Sequence, residues 1–336
     1  MKKRYSLVAF AIAAALGAGS VSADVLINSA KTVAIGVDTL GQLNARPNIT
    51  RNATRTGVAY NIGTADAPNW QDATAPGCLC EGWGVSANGT DSGYANNAAG
   101  TVNLTSDTFT ASTTSITSAV HLTSLPGLKV TQTYSAADNA PDALFKDEVV
   151  IRNDTGGALT DVKYVRVMDW DIPPTEFREF VTIKGTATTT LLEVSHDDGF
   201  ESGDPLASTS AITASTLNTD FEDSGPRDHG AYFRFNFGDL LDGEEAAFTI
   251  FYGAAANETA ALAAIAAEGI ELFSLGQSHV RGRPGDTLPT FIFGFKGVGG
   301  VPVIPPPTTG VPEPSTLALL VLGIAGPGFA RRRRQA

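Results

Sequence analysis

Runs of β-branched and aromatic residues recur along the body of the chain, and the clearest, 161–170, alternates with a period of two. Such alternation places one set of side chains on each face of an extended strand. Val, Ile, Thr and aromatic residues fill these stretches, and Gly, Asn and Asp separate them. The pattern predicts strands at 25–27, 32–37, 101–104, 115–122, 128–134, 180–184, 188–194, 231–236, 246–251 and 290–295. Two more are predicted at 148–152 and 161–170, joined by Asn153-Asp154-Thr155-Gly156-Gly157 as a hairpin turn. In the second of these, Val162, Tyr164, Met168 and Trp170 share one face, with Arg166 as a polar break. Lys163, Val165, Val167 and Asp169 share the other. Both faces carry apolar residues, which predicts a strand held between two layers. One segment departs from the pattern. Residues 257–268 are alanine-rich, with Leu262 and Ile265 at helical spacing and Gly269 placed to end a helix. The expected class is all-β: a large two-sheet β-sandwich, supersandwich-like in width. One short helix near the C-terminal end of the domain would pack on an edge or end of the sheets.

The hydrophobic pattern changes character at both ends. Lys2, Lys3 and Arg4 precede an apolar run over 6–16, and Val21-Ser22-Ala23 fits the small-x-small rule. These are the three parts of a secretory signal, with signal peptidase expected to cut after Ala23. The run is too short for an ordinary span of about 20 residues. At the other end, Val311-Pro312-Glu313-Pro314-Ser315 precedes an apolar stretch over 316–330, then Arg331, Arg332, Arg333 and Arg334. About 15 residues cover ~23 Å of a hydrocarbon core ~30 Å thick. Such a segment suits transient membrane association, and the four arginines resist translocation. The prolines keep 311–315 out of helix and sheet, so a processing enzyme can reach them. The expected organisation is a signal peptide at 1–23 and a β-sandwich body at 24–296, as one domain or two subdomains. A Gly- and Pro-rich linker follows at 297–310, then a sorting signal with a short transmembrane segment at 311–336.

Val-Pro-Glu-Pro-Ser, a short apolar helix and a terminal arginine cluster together resemble the PEP-CTERM sorting signal of Gram-negative bacteria. The resemblance covers 311–336. It implies recognition by an exosortase and cleavage near the motif. It also implies an inner-membrane intermediate, then a place at the cell surface or outside it among exopolysaccharide and biofilm material. A simple tail anchor is the alternative. Within the body, Cys78-Leu79-Cys80-Glu81-Gly82-Trp83-Gly84, the segment from Met168 to Thr175, and Phe248 to Gly253 are similar to uncharacterised exported β-rich bacterial proteins. No activity carries over from them. The strand-rich middle is also similar to the wide sandwiches of carbohydrate-active proteins, a likeness of fold alone.

Charge narrows the partners. The two terminal segments hold seven of the 23 basic residues and one of the 35 acidic ones, so excising them moves the net charge from −12 to −18. Such a surface repels phosphate backbones, and nucleic acid is not expected as a partner. Cys78 and Cys80 are the only cysteines. In an oxidising compartment they are disulfide candidates, with free thiols, intermolecular pairing, metal binding or redox chemistry as alternatives.

No motif for catalysis stands out. Gly84-Val85-Ser86-Ala87-Asn88 comes nearest to a nucleophile elbow and lacks its second glycine. His-Glu-x-x-His and phosphate-cradling loops are absent from the sequence, and His121, His196, His229 and His279 are scattered, as surface or loop residues would be. Acidic clusters remain. Asp169 and Asp171 lie on one face at a strand end, and Asp197 and Asp198 open the acidic loop 196–204. The run 220–228 is read as a second acidic loop. These carboxylates are candidate ligands for Ca²⁺, a hard cation that takes oxygen ligands from loops. Glycosidase chemistry and plain solvated turns are the competing readings. The three tryptophans, Trp70, Trp83 and Trp170, are candidates for a sugar platform or for packing. The expectation is a non-enzymatic envelope or matrix protein with no cofactor, or with calcium. The alternative is a carbohydrate-binding or carbohydrate-active protein.

Overall fold

The structure is a computed structural model that describes residues 23–285 and 287–303. The expected signal peptide up to residue 22, the segment 304–310, the sorting residues Val311, Pro312, Glu313 and Pro314, and Arg331 to Arg334 lie outside the described residues.

The chain forms β1 (Ala23–Ile27), β2 (Val33–Asp38), β3 (Val58–Asn61) and β4 (Trp70–Asp72). There follow β5 (Gly82–Ala87), β6 (Asp91–Asn96), β7 (Gly100–Val102), β8 (Leu104–Ala111), β9 (Ser115–Leu122) and β10 (Leu125–Ala136). Next come β11 (Leu144–Asn153), β12 (Leu159–Trp170), β13 (Glu179–Lys184), β14 (Leu192–His196), β15 (Phe221–Arg227), β16 (His229–Leu240) and β17 (Glu245–Ala255). The helix α1 (Glu258–Glu268) precedes β18 (Leu272–Gln277), the small ladder β19 (His279–Val280) and β20 (Arg283–Pro284), and β21 (Thr290–Lys296). All pairings are antiparallel. One sheet has nine strands in the order β15-β13-β18-β21-β17-β11-β10-β9-β8. A second has six, β14-β16-β12-β5-β6-β7, and a third runs β1-β2-β3-β4.

This is an all-β sandwich, as the alternation predicts. β9 shows why: Ile116, Ser118, Val120 and Leu122 point inward, while Ser115, Thr117, Ala119 and His121 point out. The inner face of the nine-stranded sheet carries Val130, Tyr134, Val149, Ile151, Ile250, Tyr252, Phe293 and Phe295. It packs against Trp83, Val85, Tyr164, Met168, Phe233 and Phe235 of the six-stranded sheet, and against Val33, Ile35 and Val58 of the four-stranded one. The aromatic rings interlock: Phe233 meets Phe293 and Phe295 edge-on, and Trp83 stacks on Tyr164 at 5.7 Å. Such offset and edge contacts are the favoured aromatic geometries.

The predicted hairpin at 153–157 is not one. β11 belongs to the nine-stranded sheet and β12 to the six-stranded sheet, so this turn carries the chain across the core. Alternation is a local signal and does not say which sheet a strand joins. Asn153 fastens the crossing: its Nδ2 donates to Gly157 O and Leu240 O, both at 2.8 Å. β12 is covered on both sides, though the outer cover is a loop and not a sheet. Val165 and Val167 pack with Tyr232 beneath the segment that follows β14. Arg234 Nη1 holds that segment through Pro205 O and Ala207 O. At Gly84 a Cβ would stand 2.0 Å from Gly203 O, so only glycine lets the loop lie this close.

The helix appears where alanine spacing places it, between Asn257 and Gly269. It packs on the outer face of the nine-stranded sheet, against Phe251, Phe273, Leu275 and Ile292, and not on an edge. The expected linker also begins later than residue 297. Glu271 accepts the N–H groups of Gly297, Val298 and Gly300, and Val298 is buried. Val303 N–H donates to Ile270 O at 2.9 Å, so the chain stays strapped to the body that far. Among the described residues no helix is long and apolar enough to cross a membrane.

Candidate functional site

β12 ends at one end of the sandwich. Trp170 turns into the core there, and its indole N–H donates to Ser274 Oγ at 3.0 Å. Gly276 on β18 makes room for the ring, since a Cβ would stand 2.8 Å from it. Alternation then sends Asp169 and Asp171 to the opposite side. The Asp171 N–H donates to Ala73 O at 2.8 Å and fixes the backbone as it leaves the strand. Glu179 opens β13, and its Oε1 accepts the His229 N–H at 3.1 Å. Asp228 is the single residue between β15 and β16, where the chain passes from the nine-stranded to the six-stranded sheet.

These segments bring carboxylates together. One oxygen from each of Asp169, Asp171 and Asp228 falls within 4.8 Å of the others. Asp169, Asp171 and Glu179 are buried, and Asp228 is exposed at the rim. Asp169 Oδ1, both oxygens of Asp171, and Glu179 Oε2 have no hydrogen-bond partner. Burial pushes the Asp169 carboxyl up to about 8, and the charges of Asp228 and Asp198 add to the rise. Burial, then Asp169 and Asp228, takes Asp171 up to about 9. Glu179 also reaches about 9, mainly through burial, with the His229 N–H opposing. Each shift has the same origin: a charged carboxylate loses its water and faces other carboxylates rather than a basic side chain.

Cys78 and Cys80 are joined in a disulfide whose Cys78 Sγ lies 3.3 Å from Asp169 Oδ2. The bridge therefore covers one side of the cluster. Gly77 lies on the Asp171 side: a Cβ there would stand 3.4 Å from Asp171 Oδ2.

The four calcium candidates divide. Asp169 and Asp171 converge; Asp197 and Asp198 do not join their oxygens. Asp197 Oδ1 accepts from Thr213 N at 3.0 Å and Thr216 Oγ1 at 2.8 Å, and Oδ2 lies 3.6 Å from His229 Nδ1. Burial alone would raise Asp197, yet the contacts from His229, Thr213 and Thr216 outweigh it and hold the carboxyl well below its ordinary value. Asp198 Oδ1 accepts the Phe200 N–H and shapes a turn. Glu179 and Asp228 stand beside Asp169 and Asp171 instead. Asp228 lies in the acidic run 220–228, but most of that run is strand β15 and not a loop. Nothing in sequence spacing ties Glu179 to the cluster.

The remaining sequence candidates fall elsewhere. Ser86 is buried within β5 and has no histidine beside it to activate it. His196 and His229 are buried rather than superficial, His121 pairs with Asp107 at 2.8 Å, and His279 stacks on Phe180. All three tryptophans are buried, with exposures of 6% for Trp70 and 0% for Trp83 and Trp170.

The family model for the PEP-CTERM protein-sorting motif matches residues 310–334. The chain carries a PEP-CTERM sorting tail. That tail marks an exported protein that an exosortase processes at the membrane on its way to the cell surface. The match lies within the C-terminal tail, outside the sandwich. No curated protein matches the sequence, and the likeness of the body to other exported β-rich proteins gains no support from the comparisons.

Proposed function

We propose that the protein is a non-enzymatic component of the cell surface or its extracellular matrix, displayed or released after exosortase cleavage and lying among exopolysaccharide. The burial of all three tryptophans carries this reading. A sugar platform needs exposed rings on which pyranose faces can stack. Here Trp83 stacks inside the sandwich on Tyr164, Trp170 is pinned to Ser274, and Trp70 packs with Ala34 and Ala59. Catalysis of glycoside transfer is likewise poorly served. It uses two carboxyls roughly 5–9.5 Å apart across an open cleft. Asp169 and Asp171 are instead both buried, and the disulfide lies against Asp169. One apolar hollow of about 390 Å³ is lined by Tyr60, Ile62, Pro173, Pro174 and Phe291. Among the described residues Gln71 and Tyr60 are its only polar side chains, too few to engage a ring of hydroxyls.

The test is fractionation of cells with and without exosortase, combined with a sugar assay. The mature protein is expected in the surface or matrix fraction only when exosortase is present. Purified protein incubated with the producer's exopolysaccharide should release no new reducing ends. Release of reducing ends would overturn the non-enzymatic reading.

A further inference from the structure

Two buried carboxylates that converge, with a third in their field and no basic side chain among them, require an explanation. The charges that bear most on Asp169, Asp171 and Glu179 are other carboxylates, not lysine or arginine. Burying an unpaired ion costs several kcal/mol even after relaxation. Stable proteins rarely place three together unless something compensates. Asp171 states the problem most sharply: it is fully buried and neither of its oxygens meets a donor. Glu179 adds an independent sign, since its Oε2 is buried and unpartnered in the field of Asp169, Asp171 and Asp228, while its Oε1 is held by a backbone N–H.

We infer that Asp169, Asp171 and Asp228 bind one hard divalent cation of the calcium class, with Glu179 in the field of the three, and that the ion ties the two large sheets together at this end of the sandwich. The dimensions fit. Calcium takes oxygens at about 2.3–2.6 Å, so ligands on opposite sides of the ion stand about 5 Å apart. Oxygens of Asp169, Asp171 and Asp228 converge within 4.8 Å. The ligand chemistry is all oxygen. The disulfide sulfur beside Asp169 is oxidised and offers no thiolate to a softer metal. Asp228 at the rim supplies a way in from solvent.

The topology gives the ion a task. Asp169 and Asp171 belong to β12 of the six-stranded sheet and its exit. Glu179 begins β13 of the nine-stranded sheet, and Asp228 is the corner between β15 and β16. A cation held by the three aspartates would clamp β12 to the corner that links the sheets. Free Ca²⁺ is plentiful outside cells, where extracellular modules bind it at about 10⁻⁴–10⁻³ M. The clamp would therefore close once the body has left the cytoplasm. This inference stands apart from the matrix role and would hold for a sugar-binding protein equally.

The test uses mature secreted protein, stripped with chelator and titrated with Ca²⁺ and with Tb³⁺ as a luminescent substitute. Trp170, between Asp169 and Asp171 in sequence, is placed to sensitise Tb³⁺ emission. Saturating Ca²⁺ is expected to raise Tm by at least about 4 °C and to quench Tb³⁺ emission by competition. Asp228→Asn changes an exposed residue, so the fold should survive while affinity falls about tenfold or more. Asp171→Asn should abolish the Ca²⁺ response and raise the Tm of the chelated form, because it removes a buried, unpartnered carboxyl that folding must either protonate or strip of water. Two results would overturn the inference: wild-type protein that neither responds to Ca²⁺ nor sensitises Tb³⁺, or a full response retained in both variants.

Discussion

Arg166 is the largest commitment of charge in the core. It is fully buried, and its Nε donates to Glu81 Oε1 at 2.6 Å. Its Nη1 donates to Gln132 Oε1 at 2.8 Å, and the guanidinium lies over the Tyr252 ring at 5.3 Å. Asp147 stands 4.0 Å away. Removing the cation by Arg166→Met leaves two carboxylates buried without it, which should cost about 3–5 kcal/mol of unfolding free energy. Chemical denaturation of the mature protein measures this; a loss below about 1 kcal/mol would show that the network contributes little. The sequence marks Arg166 as a polar break in an apolar row, but not its partner Glu81, 85 residues away. A second residue makes a prediction about pH. His196 stacks on Tyr232, its Nδ1 accepts the Asp198 N–H at 3.2 Å, and its Nε2 meets Thr209 Oγ1. Burial lowers its pKa from 6.5 to about 4. Between those values the unfolded chain binds a proton that the folded one refuses. Stability therefore falls as pH drops from about 6.5 to about 4, by about 2–3 kcal/mol from this residue. His196→Gln should flatten that part of the curve when unfolding free energy is compared at pH 7 and pH 4.5. An unchanged difference between wild type and variant would reject the assignment.

At the scale of elements, local chemistry predicts well and pairing does not. α1 was legible because its signals are contiguous: alanine-rich spacing and a glycine after it. Asn257 Oδ1 accepts the Ala260 N–H at 2.9 Å, and Gly269 takes φ 67° while its N–H reaches Ala266 O at 3.2 Å. Asn257→Ala should cost about 1 kcal/mol by unpairing that N–H, and Gly269→Ala about as much by forcing a Cβ into the left-handed region. Thermal unfolding of each variant checks both, and the costs should add in the double variant because the sites are far apart. β5 and β15 escaped notice for a physical reason. β5 is Gly-Trp-Gly-Val-Ser-Ala, with little side-chain alternation, because loop and strand backbones press against its glycines. β15 is acidic and holds Pro226, a composition that resembles a loop but also suits a sheet edge that must not pair with another molecule. The candidate site was half legible for the same reason. Asp169 and Asp171 share a strand end, so spacing places them together. Glu179 and Asp228 arrive through a crossing between sheets, which no local pattern encodes.

For the whole molecule, two kinds of information are written into separate parts of the chain. The body encodes a fold through alternation and buried charge, and the tail encodes a route through hydrophobicity and a terminal cation cluster. The sorting motif matched at 310–334 contains Pro312-Glu313-Pro314, an apolar run and Arg331 to Arg334, whose chemistry suits a bilayer and a processing enzyme. These parts should fail differently. Replacing Glu313 and Pro314 with alanine leaves the apolar run and the arginines intact, so the chain should still insert but escape cleavage. Intact mass would then show a protein that keeps the tail to Ala336 and sediments with the inner membrane. Replacing Arg331 to Arg334 with serine removes the barrier to translocation and leaves a marginal apolar segment of about 15 residues, shorter than the roughly 20 a span requires. That chain should pass through the membrane and appear outside the cell with its tail uncut. Both variants should retain the Tm of the wild-type body, because the substitutions lie beyond residue 303, where the described sandwich ends. Cleavage of either variant at the wild-type position would show that the exosortase reads something other than the motif and its cationic stop.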